Sequence, residues 1–317
     1  MLKRLGSMGL PLIVLVLIFA VGPYTVFNNP ATLFQMMAFL ALAQGINVLY
    51  GFTGYLPFGY VGFFGAGAYG ASVVVLQLHW PVLLGILAGG VIAVLISVIL
   101  LPMLRLSGAY FAIGSLAAAE IVYNVVANPN LQKVTNGPYG INLAPVFNAT
   151  LSYWLMLVLV LVAVAFVIWL RRSSFGFSLL ALRDDPVSAG MAGVNIVRTR
   201  TLAWLASALI AGLAGAIYAW HISVFYPNSV FDLNISIFAI VFTLFGGRAT
   251  VWGPIIGTVV LYGLYNWIGI STPQYFQLVY GLLIVALVLF LPNGVMSLIG
   301  RRRKSRQVEQ KGAVMNV

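Results

Sequence analysis

The chain offers few residues with which to do chemistry. Its acids include Glu120, Asp184, Asp185 and Asp232, its two histidines are His79 and His221, and it has no cysteine. Without cysteine there is no thiol nucleophile, thiolate metal site or disulfide, and two histidines in separate segments supply too few ligands for a metal cluster. A P-loop needs Gly-x-x-x-x-Gly-Lys-Ser/Thr, and Lys3, Lys133, Lys304 and Lys311 all lack that context, so ATP hydrolysis by that route is excluded. Asp184, Asp185 and Asp232 fall in loops, which removes an intramembrane aspartate pair as well. No catalytic residue and no metal site is assigned, and no cofactor is expected on this chain.

One acid lies inside an apolar run. Glu120 sits in GAYFAIGSLAAAEIVYNVV, with Asn124 one turn further on the same helical face. An ionisable group at that depth either lines a solute or proton pathway, or is a protonated or hydrogen-bonded anchor between helices. Gln44, Asn47 and Asn266 are weaker candidates of the same kind, more often interhelical glue than ligand.

The elements that must position these groups follow from composition. Apolar residues make up 62% of 317 positions, charged residues 7%, and the mean hydropathy is +1.05, so the chain reads as an all-α, polytopic helical membrane protein. Uninterrupted runs such as 151–170 exclude a β-barrel, whose strands alternate. About ten spans are expected, near 8–27, 31–50, 55–78, 81–104, 108–127, 151–170, 201–221, 235–250, 254–270 and 276–292. The first is read as an uncleaved span, because Gly22-Pro23-Tyr24 lacks a small-x-small cleavage site.

The net charge of +11 is a topology signal here and not a sign of nucleic acid. With the N-terminus inside, every lysine and arginine except Lys133 falls on the inner side, which puts both termini in the cytoplasm. Residues 1–300 form the membrane domain, and 301–317, opening with RRRKSR, form a basic tail suited to anionic membrane lipid. The glycine run of 51–70, broken by Pro57, reads equally as close helix packing and as a broken helix lining a pathway. Between spans six and seven lies the hydrophilic segment 171–200, carrying Arg171, Arg172, Arg183, Arg198 and Arg200 with Asp184 and Asp185.

Four stretches together resemble the branched-chain amino acid ABC transporter permease family, the LivM-type subunit. They are GFTGYLPFG at 51–59 leading to FFGAGAY at 63–69; RLSGAYFAI at 105–113 leading to Ala119, Glu120 and Ile121; Ser174, Phe175 and Gly176 with ALRDD at 181–185, Ala189, Gly193 and Asn195; and AGLAG at 211–215 with Pro227, Ser236, Gly246, Gly247, Gly253 and Pro254. Pro57, Tyr60, Pro186 and Gly190 depart from the residues usual at those places.

The resemblance implies a multi-pass subunit of a bacterial inner-membrane importer. Its partners would be two ATP-binding subunits that use the ATP, a sister LivH-type permease and a periplasmic substrate-binding protein. The segment 171–200 would then be the ATPase-coupling loop, with Leu179, Leu182, Arg183, Asp184, Asp185, Ala189, Gly193 and Asn195 at the contact, its leucines exposed unless a partner covers them. Tyr226, Pro227 and Asp232 would be an outer contact for the binding protein. A branched-chain amino acid is the expected solute, with urea or a short amide open within the same family. From a different class, a proton-coupled secondary transporter working through Glu120, or a channel, also fits the residues.

Overall fold

In hydrocarbon a backbone must satisfy its own N–H and C=O groups, and each long apolar run does so as a helix. The computed structural model describes residues 2–24 and 29–271, together with 281, 282, 285 and 294–296. Its helices are α1 (Leu2–Val16), α2 (Pro30–Ile46), α3 (Val61–Gln77), α4 (Val82–Ile99), α5 (Gly108–Val126), α6 (Ala149–Leu170), α7 (Ser174–Asp184), α8 (Pro186–Met191), α9 (Ile196–Ile222), α10 (Leu233–Gly246) and α11 (Trp252–Ser271). Sequence signals start several of them. Asn29 caps α2 by accepting the N–H groups of Ala31 and Thr32, with Pro30 at the first helical position, and Asn148 caps α6 through the N–H of Leu151.

Among the described residues, seven helices are long and apolar enough to cross a membrane, and Gly9–Val21 is a shorter apolar one. The expected spans from 31 to 250 coincide with these seven to within a few residues, except at three places. The expected start at 55 is not helical: residues 54–57 are irregular, and a tight turn at Phe58–Tyr60 leads into α3. The eighth stops at Gly246 because Gly247 takes φ +116° and Ala249 φ +55°, making a turn where a span was drawn to 250. The supposed loop 171–200 is mostly helix, being α7, α8 and the first turn of α9. A tenth span at 276–292 lies, except for three residues, outside the described residues, as does the tail 301–317.

The bundle is centred on α3. Its span is 89% buried, against 33% for α4 and for α5, which sets it between its neighbours and leaves those two at the periphery. Backbones of α3, α4 and α9 meet at glycine: a Cβ on Gly67 would stand 2.0 Å from the Gly212 carbonyl oxygen, and one on Gly89 would stand 2.5 Å from that of Gly67. Glycine at these positions is therefore required by contact distance, the usual route to helix association where no hydrophobic force acts between helices. Side-chain hydrogen bonds cross the same junction, from Trp204 Nε1 to Ser97 O at 2.8 Å and from Tyr60 Oη to Ser207 O at 2.8 Å.

The described arginines gather at one end of the bundle. Arg183 bonds Gly51 O, Arg200 stacks on Tyr55, and Arg248 adjoins Ala249, whose N–H is held by Asn47. At the opposite end, Gln77 Nε2 donates to Lys133 O at 3.0 Å, and the ladder of Ile141–Asn142 with Val224–Phe225 pins the long connecting loop onto the helices.

The glycine junction generates a direct test. Gly212→Leu places side-chain atoms where Ala93 Cβ and Gly89 O already stand. It should destabilise the bundle by about 3 kcal/mol or more, seen as a lowered melting midpoint and early aggregation on size-exclusion chromatography. A solvent-side control, Val187→Leu, should leave both unchanged.

Candidate functional site

Glu120 stands on the outward face of α5. Its side chain is exposed, and so are those of Tyr110, Ile113, Ile121 and Val125, while Phe111, Ala118 and Ala119 turn into the bundle. Asn124 is bonded to it: Nδ2 donates to Glu120 Oε1 at 3.0 Å and to Glu120 O at 2.8 Å. The two residues paired by sequence spacing are thus one unit, one turn apart on one face. The carboxylate keeps a free oxygen, and no ion pair forms with it among the described residues.

The depth of this unit follows from α3. Gly62, in the first turn of α3, abuts Ala119, and α3 then climbs about 22 Å at ~1.5 Å per residue to Gln77 at the far end. Along α5 Glu120 stands about 18 Å from Gly108 and about 9 Å from Val126, within a helix of membrane-spanning length.

A second acid comes to nearly the same level. After Phe225 the chain turns back into the bundle, and Phe231 packs its ring 5.8 Å from Tyr123 and 6.3 Å from Tyr69. Asp232 then caps α10, accepting the N–H of Asn234 at 2.9 Å, and Ser236 Oγ accepts the N–H of Val61 at 2.7 Å. Placed beside the first residue of α3, the start of α10 is deep. Asp232 itself is exposed, and next to it Phe231 fills the space that Gly65 leaves open. Tyr226 does stay exposed near the strand pair, whereas Pro227 is buried.

Gln44 and Asn47 form a different group. Both are fully buried, and their amides are engaged by the turn after α10: Gln44 Nε2 donates to Val251 O at 3.1 Å, Asn47 Nδ2 donates to Thr250 O at 2.8 Å, and Asn47 Oδ1 accepts the N–H of Ala249 at 2.8 Å. They hold backbone that has no helical partner of its own, at the arginine end and away from Glu120.

The segment after α6 folds into a compact elbow. Ser173 caps α7 through the N–H of Gly176, and Gly176 is forced by the Leu170 carbonyl, 1.7 Å from where its Cβ would stand. Asp185 ends α7 and caps α8, accepting the N–H of Val187 at 2.9 Å with Pro186 at the first helical position. The Ser188 hydroxyl, and then the N–H groups of Val187 and Ser188, hold the exposed Asp185 carboxyl below its ordinary range. That sign means the cap is intact above the ordinary carboxylate pKa and is lost as pH falls through the lowered one.

Leu179, Leu182 and Ala189 are buried within the chain's own core, so the expectation of leucines exposed for a partner is corrected. The surface the elbow presents is Phe177, Val187 and Met191, at 61%, 69% and 80% exposure, beside Asp184, Asp185, Gly193 and Asn195. Three bare apolar side chains amid polar ones were the sequence signal for this patch, and the leucines drew attention away from it. Arg183 ties the elbow to the bundle: Nη1 donates to Gly51 O at 2.8 Å, while its pairing with Asp184, a side chain 73% exposed, adds little. Gly193 takes φ +88°, a conformation that disfavours other residues.

Seven apolar helices of membrane-spanning length with a polar elbow at one end are the architecture of a multi-pass membrane protein. The chain belongs to the branched-chain amino acid transport system permease component family, whose model matches residues 30–288. It is similar to the high-affinity branched-chain amino acid transport system permease protein LivM of Salmonella typhimurium, 27% identical over 95% of this chain and 78% of that protein. The LivM of Escherichia coli is 26% identical over 87% of this chain and 72% of its own length. A fructose import permease protein, FrcC of Rhizobium meliloti, is 33% identical over 44% of this chain and 41% of its own length. The protein is thus a multi-pass inner-membrane permease of the ABC transporter family.

The Asn47 clamp can be tested without knowing the solute. Asn47→Leu strips the partners from Ala249 N–H and Thr250 O, and each buried group left unpaired costs about 1–3 kcal/mol. The melting midpoint of the purified protein should fall, and protease cleavage near 247–252 should accelerate; a midpoint equal to the parent's would show that the turn stands without the clamp.

Proposed function

We propose that the chain is the membrane-spanning subunit of an importer for a branched-chain amino acid, and that Glu120 with Asn124 meets the ammonium group of the solute on its way through. The observation that carries this is the outward-facing carboxylate within the membrane-length helix α5. A charge there facing lipid costs about 2.5–3.5 kcal/mol, so the face is covered by protein that encloses a wet path. A sister permease of the LivH type fits that role, with α5 and the start of α10 forming one wall. A carboxylate discriminates for a cationic group, which favours an amino acid over a neutral sugar, urea or short amide. Asp232, near the same level, adds to the negative field.

The chain has no P-loop and binds no cofactor itself, so two separate ATP-binding subunits consume the ATP. They grip the elbow through Phe177, Val187 and Met191, with Asp184, Asp185 and Asn195 around them. Leu179, Leu182 and Ala189 root the elbow in the bundle. Closure of the ATPase pair then moves α7 and α8 as a body, and Arg183 passes that motion to Gly51 and the irregular segment at 54–57. The reading keeps ten crossings with both termini cytoplasmic, so that the arginine end faces the ATPases and Tyr226 and Pro227 face the periplasmic binding protein.

Reconstitution in vesicles with all partners tests the proposal. Leucine uptake should require ATP, and Glu120→Gln should lower it by about tenfold to a hundredfold, the worth of one charged hydrogen bond, while ATP hydrolysis persists. Accumulation by the purified chain alone on a proton gradient would overturn the importer; undiminished uptake by Glu120→Gln would remove the ammonium contact.

The elbow has its own test. Asp185→Arg and Gly193→Trp should each leave insertion intact but uncouple hydrolysis from uptake, read as ATP consumed per leucine imported. An unchanged ratio in both variants would show that force enters elsewhere.

A further inference from the structure

Among the described residues, Arg105 and Arg200 have no carboxylate partner. A cleft of about 320 Å³ opens between the tight turn Leu101–Arg105 and the first turns of α9, walled by Leu101, Pro102, Leu104, Ile196, Val197 and Thr201 and carrying Arg105 and Arg200. Arg200 is held in place by Tyr55, whose ring lies 4.9 Å from its guanidinium carbon and whose hydroxyl donates to Leu104 O at 3.4 Å. Its Nε is buried without a hydrogen-bond partner, although a desolvated guanidinium N–H is costly to leave unpaired. Among the described residues the ion pair that forms is Arg183 with Asp184, so none of them neutralises Arg105 or Arg200.

The walls say what kind of anion belongs there. Ile99 and Val197 are each 75% exposed, and Val98, Leu106 and Leu202 are exposed beside them, so the cleft is continuous with the apolar flank of α4 and α9. A free anion needs only the cations. An anionic headgroup with acyl chains attached uses both the cations and the apolar flank, and both are present at one place on the membrane boundary.

We infer that this cleft is a binding site for the headgroup of an anionic phospholipid, with Arg105 and Arg200 on its phosphate and the acyl chains lying along α4 and α9. The guanidinium fork suits phosphate oxygens, and stacking on Tyr55 fixes its plane before the lipid arrives. Lipid here would brace the turn Leu101–Arg105 against α9, and through Tyr55 it would also brace the irregular segment 54–57.

Native mass spectrometry of the full transporter, released from nanodiscs of equal phosphatidylglycerol and phosphatidylcholine, reads the site directly. The parent should retain phosphatidylglycerol in clear excess, and Arg105→Gln with Arg200→Gln should lower that preference on the order of tenfold or more. Arg200→Lys, which keeps the charge, should retain most of it and shows that loss in the glutamine pair is not misfolding. Three results would overturn the inference: an undiminished preference in the glutamine pair, displacement of the lipid by millimolar inorganic phosphate, which would make this a free-anion site, or retention by the permeases alone that vanishes once the ATPase subunits bind, which would assign the arginines to a protein partner.

Discussion

Hydrocarbon offers no hydrogen-bond partner to a peptide group, and most of this structure answers to that constraint. Where the chain is helical the answer is local. Where it is not, at 54–60 and 247–251, side chains supply what the backbone lacks: Ser115 Oγ takes the N–H of Gly59, Ser236 Oγ that of Val61, and Asn47 and Gln44 take three groups of the turn after α10. The buried polar residues of this chain are therefore largely committed to backbone.

That commitment separates structural polarity from functional polarity. Gln44, Asn47, Ser207 and Thr243 are buried and each reaches a carbonyl oxygen of another segment. Glu120 and Asn124 are exposed and bond to one another, and among the described residues they hold no other helix. Among the described residues the partner of this carboxylate is an amide on its own helix.

The helical class, the seven spans from 30 to 246 and the Glu120–Asn124 pair were legible in the sequence because each rests on local pattern: apolar length, or a spacing of four. What was not legible rests on tertiary contact. Sequence placed Leu179 and Leu182 outside because their neighbours are polar, yet α7 folds back onto α6 and α9 and buries them. The fit of Phe231 against Gly65 and Tyr123, beside the exposed Asp232, has no periodicity to mark it in the sequence. The glycine run of 51–70 was ambiguous between packing and a broken helix lining a pathway; Gly67 packs on Gly212, and Gly54, at φ +80°, belongs to the break in the helix.

The same geometry constrains how force can travel. The elbow of α7 and α8 meets the bundle at few points, and the polar one, from Arg183 to Gly51 O, lands where α2 has already given way to a π-helical turn and the chain is about to leave helix altogether. Regular helix resists bending, whereas a π turn followed by four irregular residues has softer torsions. Three residues beyond that soft stretch, Tyr60 bonds Ser207 of α9, and Gly59 lies against Ser115 of α5, five residues below Glu120. On the function proposed above, a push on the elbow would reach Glu120 by way of the break at 54–57, where the backbone gives up helical hydrogen bonds between the Arg183 contact and the α5 contact.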